Sequence, residues 1–174
     1  MNNLLTPEQI QSFKDIGEKI DVKKINPIIE QAQTVDLKST LGDRFYFDVL
    51  ANKDNPDYAP LFSGCSFTYF DINYYQDGLN SLLADYFMSK YVLQINTNFT
   101  PFGATIKLGA NGEPADRNSL KDISTQQLQL AGSRWEIIYL YLNANPSLFP
   151  NWKNNIYSSE SAPAGDRTFR FRKI

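Results

Sequence analysis

From Arg117 to Asn143 the chain contains no proline, and its apolar residues return at helical spacing. Leu120, Ile123, Leu130, Ala131, Trp135, Ile138 and Leu142 form one stripe on such a helix. Asp116 is placed to cap its start, and Asn145-Pro146 stops it, because proline cannot continue the hydrogen-bond ladder. A second helical pattern runs from about Ile72 to Ile95. Tyr75, Leu79, Leu82, Leu83, Tyr86 and Phe87 are in phase there, and apolar residues continue through Val92 and Leu93. Apolar residues occupy more than one face of this second helix, which places it at the centre. Two long helices that must bury their faces against each other predict a mainly α fold, a helical bundle.

The segment between them breaks the pattern. Thr100-Pro101-Phe102-Gly103 reads as a turn, Ala104 to Leu108 alternates weakly, and Gly109-Ala110-Asn111-Gly112 is a turn of the kind that closes a hairpin. The region at about 97–116 is therefore expected to be an inserted β-hairpin-like loop. An excursion of this length between two strong helices is usually functional. Phe102, Ile106 and Leu108 are its candidate anchors on a neighbouring molecule.

Shorter helices precede the central pair. Thr6-Pro7-Glu8-Gln9 carries a capping box with proline at the first helical position, and Gly17 interrupts that helix. The next begins either at Asp21 or at Asn26, with Pro27 at its first position in the second case. Asp36 to Leu41 is helical, Gly42 breaks it, and Asp43 is read as the cap of a helix through Phe45, Phe47, Val49 and Leu50. Residues 52–70 are rich in turn formers and read as irregular, with Ser66 to Phe70 as a short strand. Trp152 supplies a last anchoring aromatic. No internal repeat is present. The chain thus divides into a helical domain, 1–152, and an extended C-terminal arm, 153–174.

Composition limits the chemistry. The 174 residues contain no His and a single Cys65, which removes Ser-His-Asp and Cys-His catalysis, histidine metal sites and any site built from several thiolates. Cys65 beside Gly64 is read as a small apolar filler in a loop. Carboxylates remain as acid/base groups, namely Glu30, Asp36, Asp43, Asp48, Asp77, Asp85 and Glu136. No spacing among them singles out a catalytic pair, so they are read as caps and solvated helix faces. Gly103, Gly109 and Gly112 do not form a phosphate loop, because no Gly-Lys-Ser/Thr follows. No cofactor or metal is expected, and the chain is read as non-enzymatic. The first residues lack a basic stretch followed by an apolar run, and no apolar stretch approaches membrane-spanning length, so a soluble protein without membrane contact is expected.

A net charge of −2 and a pI near 5.1 argue against a dedicated nucleic-acid binder. The local exception is the C-terminus. Arg167-Thr168-Phe169-Arg170-Phe171-Arg172 alternates, so in a strand Phe169 and Phe171 point one way and Arg170 and Arg172 the other. Such a segment either pairs with a sheet edge of another chain, touches DNA phosphates, or stays disordered. Arg167, Phe169, Arg170, Phe171 and Arg172 are its candidate partner contacts. Ten Tyr and twelve Phe suit either a ring-rich core or extensive contact surfaces.

One order of motifs goes further. It comprises Leu4-Leu5-Thr6, Lys24-Ile25-Asn26-Pro27-Ile28-Ile29-Glu30-Gln31-Ala32-Gln33, Asp36-Leu37-Lys38, Leu41-Gly42-Asp43-Arg44-Phe45-Tyr46, Gly78-Leu79, Tyr91, Thr100-Pro101-Phe102-Gly103 and Trp135. It resembles the small adaptor proteins of Bacteroidetes phages, the crAss-like group among them, and through these the phage head-to-tail connectors. The resemblance covers about residues 1–152. It implies a structural subunit that forms a ring, usually twelvefold, beneath the portal at the neck of the virion. Such a ring extends the DNA channel without sequence recognition and carries the next neck or tail component. Assembly would take place in the host cytoplasm, with the portal protein and neighbouring copies as partners. The alternatives are a second-tier neck or tail-completion ring protein, a stand-alone helical binding module, and a carboxylate-only enzyme.

Overall fold

The computed structural model describes residues 3–16, 21–94 and 116–152, together with the backbone of 97–100 and 103–106. Its mainly helical architecture agrees with the sequence reading. Helix α1 (Pro7–Phe13) opens on the expected capping box. Thr6 Oγ1 accepts from the Gln9 amide at 3.3 Å, and Gln9 Oε1 accepts from the Thr6 amide at 2.8 Å. Helix α2 (Val22–Gln31) is capped by Asp21, not Asn26, and Pro27 lies inside it. Pro27 is the sixth helical residue, so α2 lacks the bond its amide would have given to the Lys23 carbonyl and continues around that gap. A π-helical turn (Ala32–Leu37) follows and includes buried Gln33. Gln33 Oε1 accepts from the Leu4 amide at 2.7 Å, fastening the N-terminal segment, while its Nε2 donates to Tyr46 Oη at 3.3 Å.

Helix α3 (Lys38–Leu41) ends at Gly42, whose φ of 75° takes the left-handed side that glycine tolerates. Gly42 occupies the cap position of α4 (Asp43–Ala51), so Asp43 sits in the first turn instead of capping it. Residues 52–70 are more ordered than expected. A 3₁₀ turn (Pro56–Tyr58) capped by Asn55 leads into α5 (Ala59–Ser63), and together they bury Tyr58, Leu61 and Phe62. The turn formers there are caps and first-turn prolines of short helices, which composition alone reads as loop.

Strands β1 (Cys65–Tyr69) and β2 (Ile72–Gln76) pair antiparallel, with Phe67 opposite Tyr74. The expected short strand is present, and Cys65 begins it rather than lying in a loop. Ile72–Gln76 corrects the expected start of the central helix, since Tyr75 belongs to β2. Helix α6 (Gly78–Gln94) starts only at Gly78, where φ is 86° and an added Cβ would overlap the Phe62 carbonyl. It is central as expected, packing against α1, α2, the π turn, α5 and α7. Leu79, Leu82, Leu83 and Phe87 are fully buried, each worth roughly 1.5–3 kcal/mol.

Strands β3 (Thr97–Thr100) and β4 (Gly103–Ile106) form the inserted hairpin. Its reversal lies between Thr100 and Gly103, where the sequence places a turn, and the turn expected at Gly109–Gly112 lies outside the described residues. Helix α7 (Arg117–Ala144) is capped by Asp116, whose Oδ2 accepts from the Asn118 amide at 3.1 Å. Its buried stripe is Ser124, Ala131, Ile138, Tyr141 and Leu142, whereas Ile123 and Leu130 are each 39% exposed. Residues 123 and 130 recur at the same spacing as 124 and 131. Periodicity alone cannot choose between two adjacent stripes.

The chain then folds back over α4. Phe149 packs edge-on against Phe45 and Tyr58, and Trp152 against Phe45 and Trp135 at 5.3 and 5.6 Å between ring centroids. Trp152 is the anchor the sequence suggests. Gly78→Ala combines a forbidden backbone angle with a steric overlap and is expected to destabilise the fold by about 3 kcal/mol. A urea midpoint equal to that of the unaltered chain would show that the β2–α6 junction can rearrange.

Candidate interaction surface

The most concentrated chemistry lies inside the bundle. Asp85, on α6, is fully buried. Lys14 Nζ lies 2.5 Å from its Oδ1, and Arg134 Nη1 lies 2.5 Å from its Oδ2. Arg134 Nε also pairs with Asp77 at 2.9 Å, while Lys14 donates to Gln127 Oε1 at 2.7 Å. Burial alone would lower the Arg134 pKa. The charges and hydrogen bonds of Asp85 and then Asp77 outweigh it and hold the guanidinium above its ordinary value. Both oxygens of Asp85 are engaged by cations, so the cluster acts as a tether between α1, the β2–α6 junction, α6 and α7. Asp85→Ala would leave Lys14 and Arg134 facing an uncharged hole. The loss should be about 3–5 kcal/mol, measured by chemical denaturation; a loss under about 1 kcal/mol would mean water fills the site.

Three further carboxylates have partners as well. Asp48 accepts from Tyr58 Oη at 2.6 Å and from Asn151 Nδ2 at 2.9 Å, which ties the C-terminal turn to α4. Lys90 Nζ lies 2.9 Å from Asp36, and Lys38 Nζ 3.4 Å from Asp43. Asp77 precedes α6 rather than lying on a helix. Cys65 packs against the core, and Gln76 Nε2 donates to its Sγ at 3.4 Å. Burial, with Cys65 as a neighbour, pushes the Tyr141 phenol up to about 12. Two clefts of about 340 and 450 Å³ flank the N-terminal segment, sharing Asn3, Thr6 and Lys53. Each brings Lys53 near one carboxylate, Asp54 in the first and Glu8 in the second, and neither holds a pair of carboxylates. Among the described residues no group of three His, Cys, Asp or Glu side chains could hold a metal ion.

Exposed apolar side chains are scattered over the bundle, Val35, Phe47 and Leu93 among them, and two groups stand on stretches nearly free of charge. The first is the β1–β2 hairpin. Its inner face carries Phe67, whose ring stacks on Tyr74 at 5.5 Å and meets Tyr141 of α7 edge-on at 5.3 Å. Buried Gln76 locks its base, donating to the Pro60 carbonyl at 2.5 Å and accepting from the Gly78 amide at 2.6 Å. The tip is a two-residue reversal with Phe70 at φ 48° and Asp71 at φ 61°. Both central positions of such a turn favour Asn and Gly, and a phenylalanine there is strained. Phe70 is also 82% exposed, Tyr75 63% and Ile72 55%. The Phe70 ring lies against Tyr69, 4.4 Å between centroids, and is otherwise open to water on a strained backbone.

The second place is the N-terminal half of α7. From Ile123 to Ser133 the helix carries no charged residue, yet most of it is exposed, including Ile123, Leu128 and Leu130. Exposed helix faces normally carry charges, and their depletion is a mark of interface cores. The uncharged run was open to view in the sequence. The hairpin tip was not, because Tyr75 fits the helical phase of the residues after it. Of the sequence-derived candidates, Ile106 ends β4 opposite Thr97. The side chain of Ile106, with Phe102, Leu108, Arg167, Phe169, Arg170, Phe171 and Arg172, lies outside the described residues. Phe70→Asn should relieve the turn and raise stability by about 1 kcal/mol, seen as a higher urea midpoint. A lower midpoint would assign the ring a role in the chain's own packing.

The molecule is therefore a mainly helical domain with two β-hairpins and exposed charge-poor surfaces. It belongs to DUF6712, a family of unknown function, whose model matches residues 37–162. No curated protein and no solved structure matches the chain.

Proposed function

We propose that the protein is a structural, non-enzymatic subunit of a ring at the head-to-tail junction of a tailed phage, seated below the portal and extending the DNA channel. The observation that carries this reading is the pair of exposed, charge-poor surfaces on separate elements, the β1–β2 hairpin and the Ile123–Ser133 stretch of α7. Rings close through head-to-tail contacts, which need two different patches on each subunit. The resemblance of the motif order to phage adaptors supports the same assignment. In this reading Phe169 and Phe171 anchor on the portal or an adjacent copy, with Arg170 and Arg172 meeting carboxylates or phosphates. The acidic balance, a net charge of −2, suits a channel wall that must not grip DNA.

The test is electron imaging of virions that encode the chain, with sedimentation of the purified protein with and without portal. Ring density of the chain's mass at the neck is the expected result. Density of that mass one tier further down would make it a second-tier component instead. Particles with no such ring would overturn the proposal.

A further inference from the structure

We infer that the β1–β2 hairpin of one copy packs against the Ile123–Leu130 stripe of α7 on the next copy, so that each hairpin lies between two α7 helices. The inference rests on the ring reading above and specifies its contact.

The argument starts from what the hairpin already does within its own chain. Phe67 meets Tyr141, and Asp77 at the hairpin's base pairs with Arg134. With 3.6 residues per turn, positions 123, 130, 134 and 141 fall on one line along α7. The hairpin covers the 134–141 part of that line, while Ile123 and Leu130 further up remain exposed. The two parts are continuous on one helix, and the upper part carries no charged residue of its own, with Gln127, held by Lys14, between Ile123 and Leu130. It offers the surface that a hairpin covers lower down. The chain's own hairpin is anchored at Asp77 and Phe67 and does not cover it. From Leu130 to Tyr141 is about 16 Å of helix.

The hairpin has a matching unused side. Its register places Ser66, Thr68, Asn73 and Tyr75 on the face away from Phe67 and Tyr74. All four are exposed, and Thr68 Oγ1 donates to Asn73 Oδ1 at 2.7 Å across that face. From Cys65 to Gln76 the single charged residue is Asp71, at the tip. Both surfaces are poor in charge, on a chain in which charged residues make up 21%, and the contact buries no ion as long as Asp71 at the tip stays in water. The exposed rings of Phe70 and Tyr75 supply the area, and Ile123 and Leu130 the apolar seat. Donor and acceptor patches are displaced along α7, so the contact is head-to-tail rather than two-fold.

The experiment uses the full chain in a Cys65→Ala background. Tyr75→Cys protein is mixed with Leu130→Cys protein and treated with a short bismaleimide. A covalent dimer that forms in the mixture well above its level in either protein alone is the expected result. Separately, Phe70→Asn with Tyr75→Ser, and Ile123→Ser with Leu130→Ser, should each weaken self-association at least tenfold in sedimentation, with helical circular dichroism retained. Phe70→Asn suits the turn, so a lost assembly in that variant cannot be put down to a lost hairpin. Assembly untouched by both pairs, with no mixed dimer, overturns this contact and leaves the ring reading standing. A chain that is monomeric at every concentration and with portal overturns both.

Discussion

A single buried carboxylate organises this bundle. Asp85 sits in the middle of the central helix α6, fully removed from water, and would be untenable there alone. Lys14 reaches it from beyond the end of α1, and Arg134 from α7, with Asp77 completing the charge balance at the base of the β1–β2 hairpin. Apolar side chains along α6 and α7 would tolerate a sliding or rotated pairing, since Leu and Ile contacts are not directional. A charged hydrogen bond is directional. It sets the register of α7 on α6, and that register brings Tyr141 under Phe67 and Trp135 beside Trp152.

The surface follows from the same arrangement. With α7 held at Arg134, its second half is sealed by the hairpin and by the C-terminal turn, which Asn151 ties to Asp48. The Ile123–Ser133 stretch extends past that cover without a charged residue. The hairpin in turn is held at its base by Gln76 and on one side by α7, while its tip carries Phe70 in a left-handed conformation. The strain and the exposure fall on the same residue. That coincidence separates the tip from ordinary surface apolar residues, which sit singly on relaxed backbone.

The family match begins at Leu37, the last residue of the π turn, and runs through α6, the hairpin and α7 to residue 162. Both charge-poor surfaces and the Asp77–Arg134–Asp85 part of the ion cluster lie inside it. Lys14, α1 and α2 lie before it, and the match continues past Trp152, across the boundary read between the helical domain and the C-terminal arm.

The sequence by itself determined the helical class, the capping box at Thr6, the cap at Asp116, the break at Gly42, the central place of α6 and the anchor at Trp152, and it left the cap of α2 open between Asp21 and Asn26. These are local matters, set by turn chemistry within a few residues or by apolar residues on all sides of one helix. Tertiary structure decided where the two periods compete. Ile72–Gln76 became a strand because Cys65–Tyr69 pairs with it, although Tyr75 is in helical phase with Leu79. The stripe at 124 and 131 was buried in place of 123 and 130 because neighbouring elements cover that side of α7. Asp85 became the centre of the core because Lys14 and Arg134, distant in sequence, converge on it. A spacing pattern records which residues share a face; only the packed neighbours determine which face is closed to water.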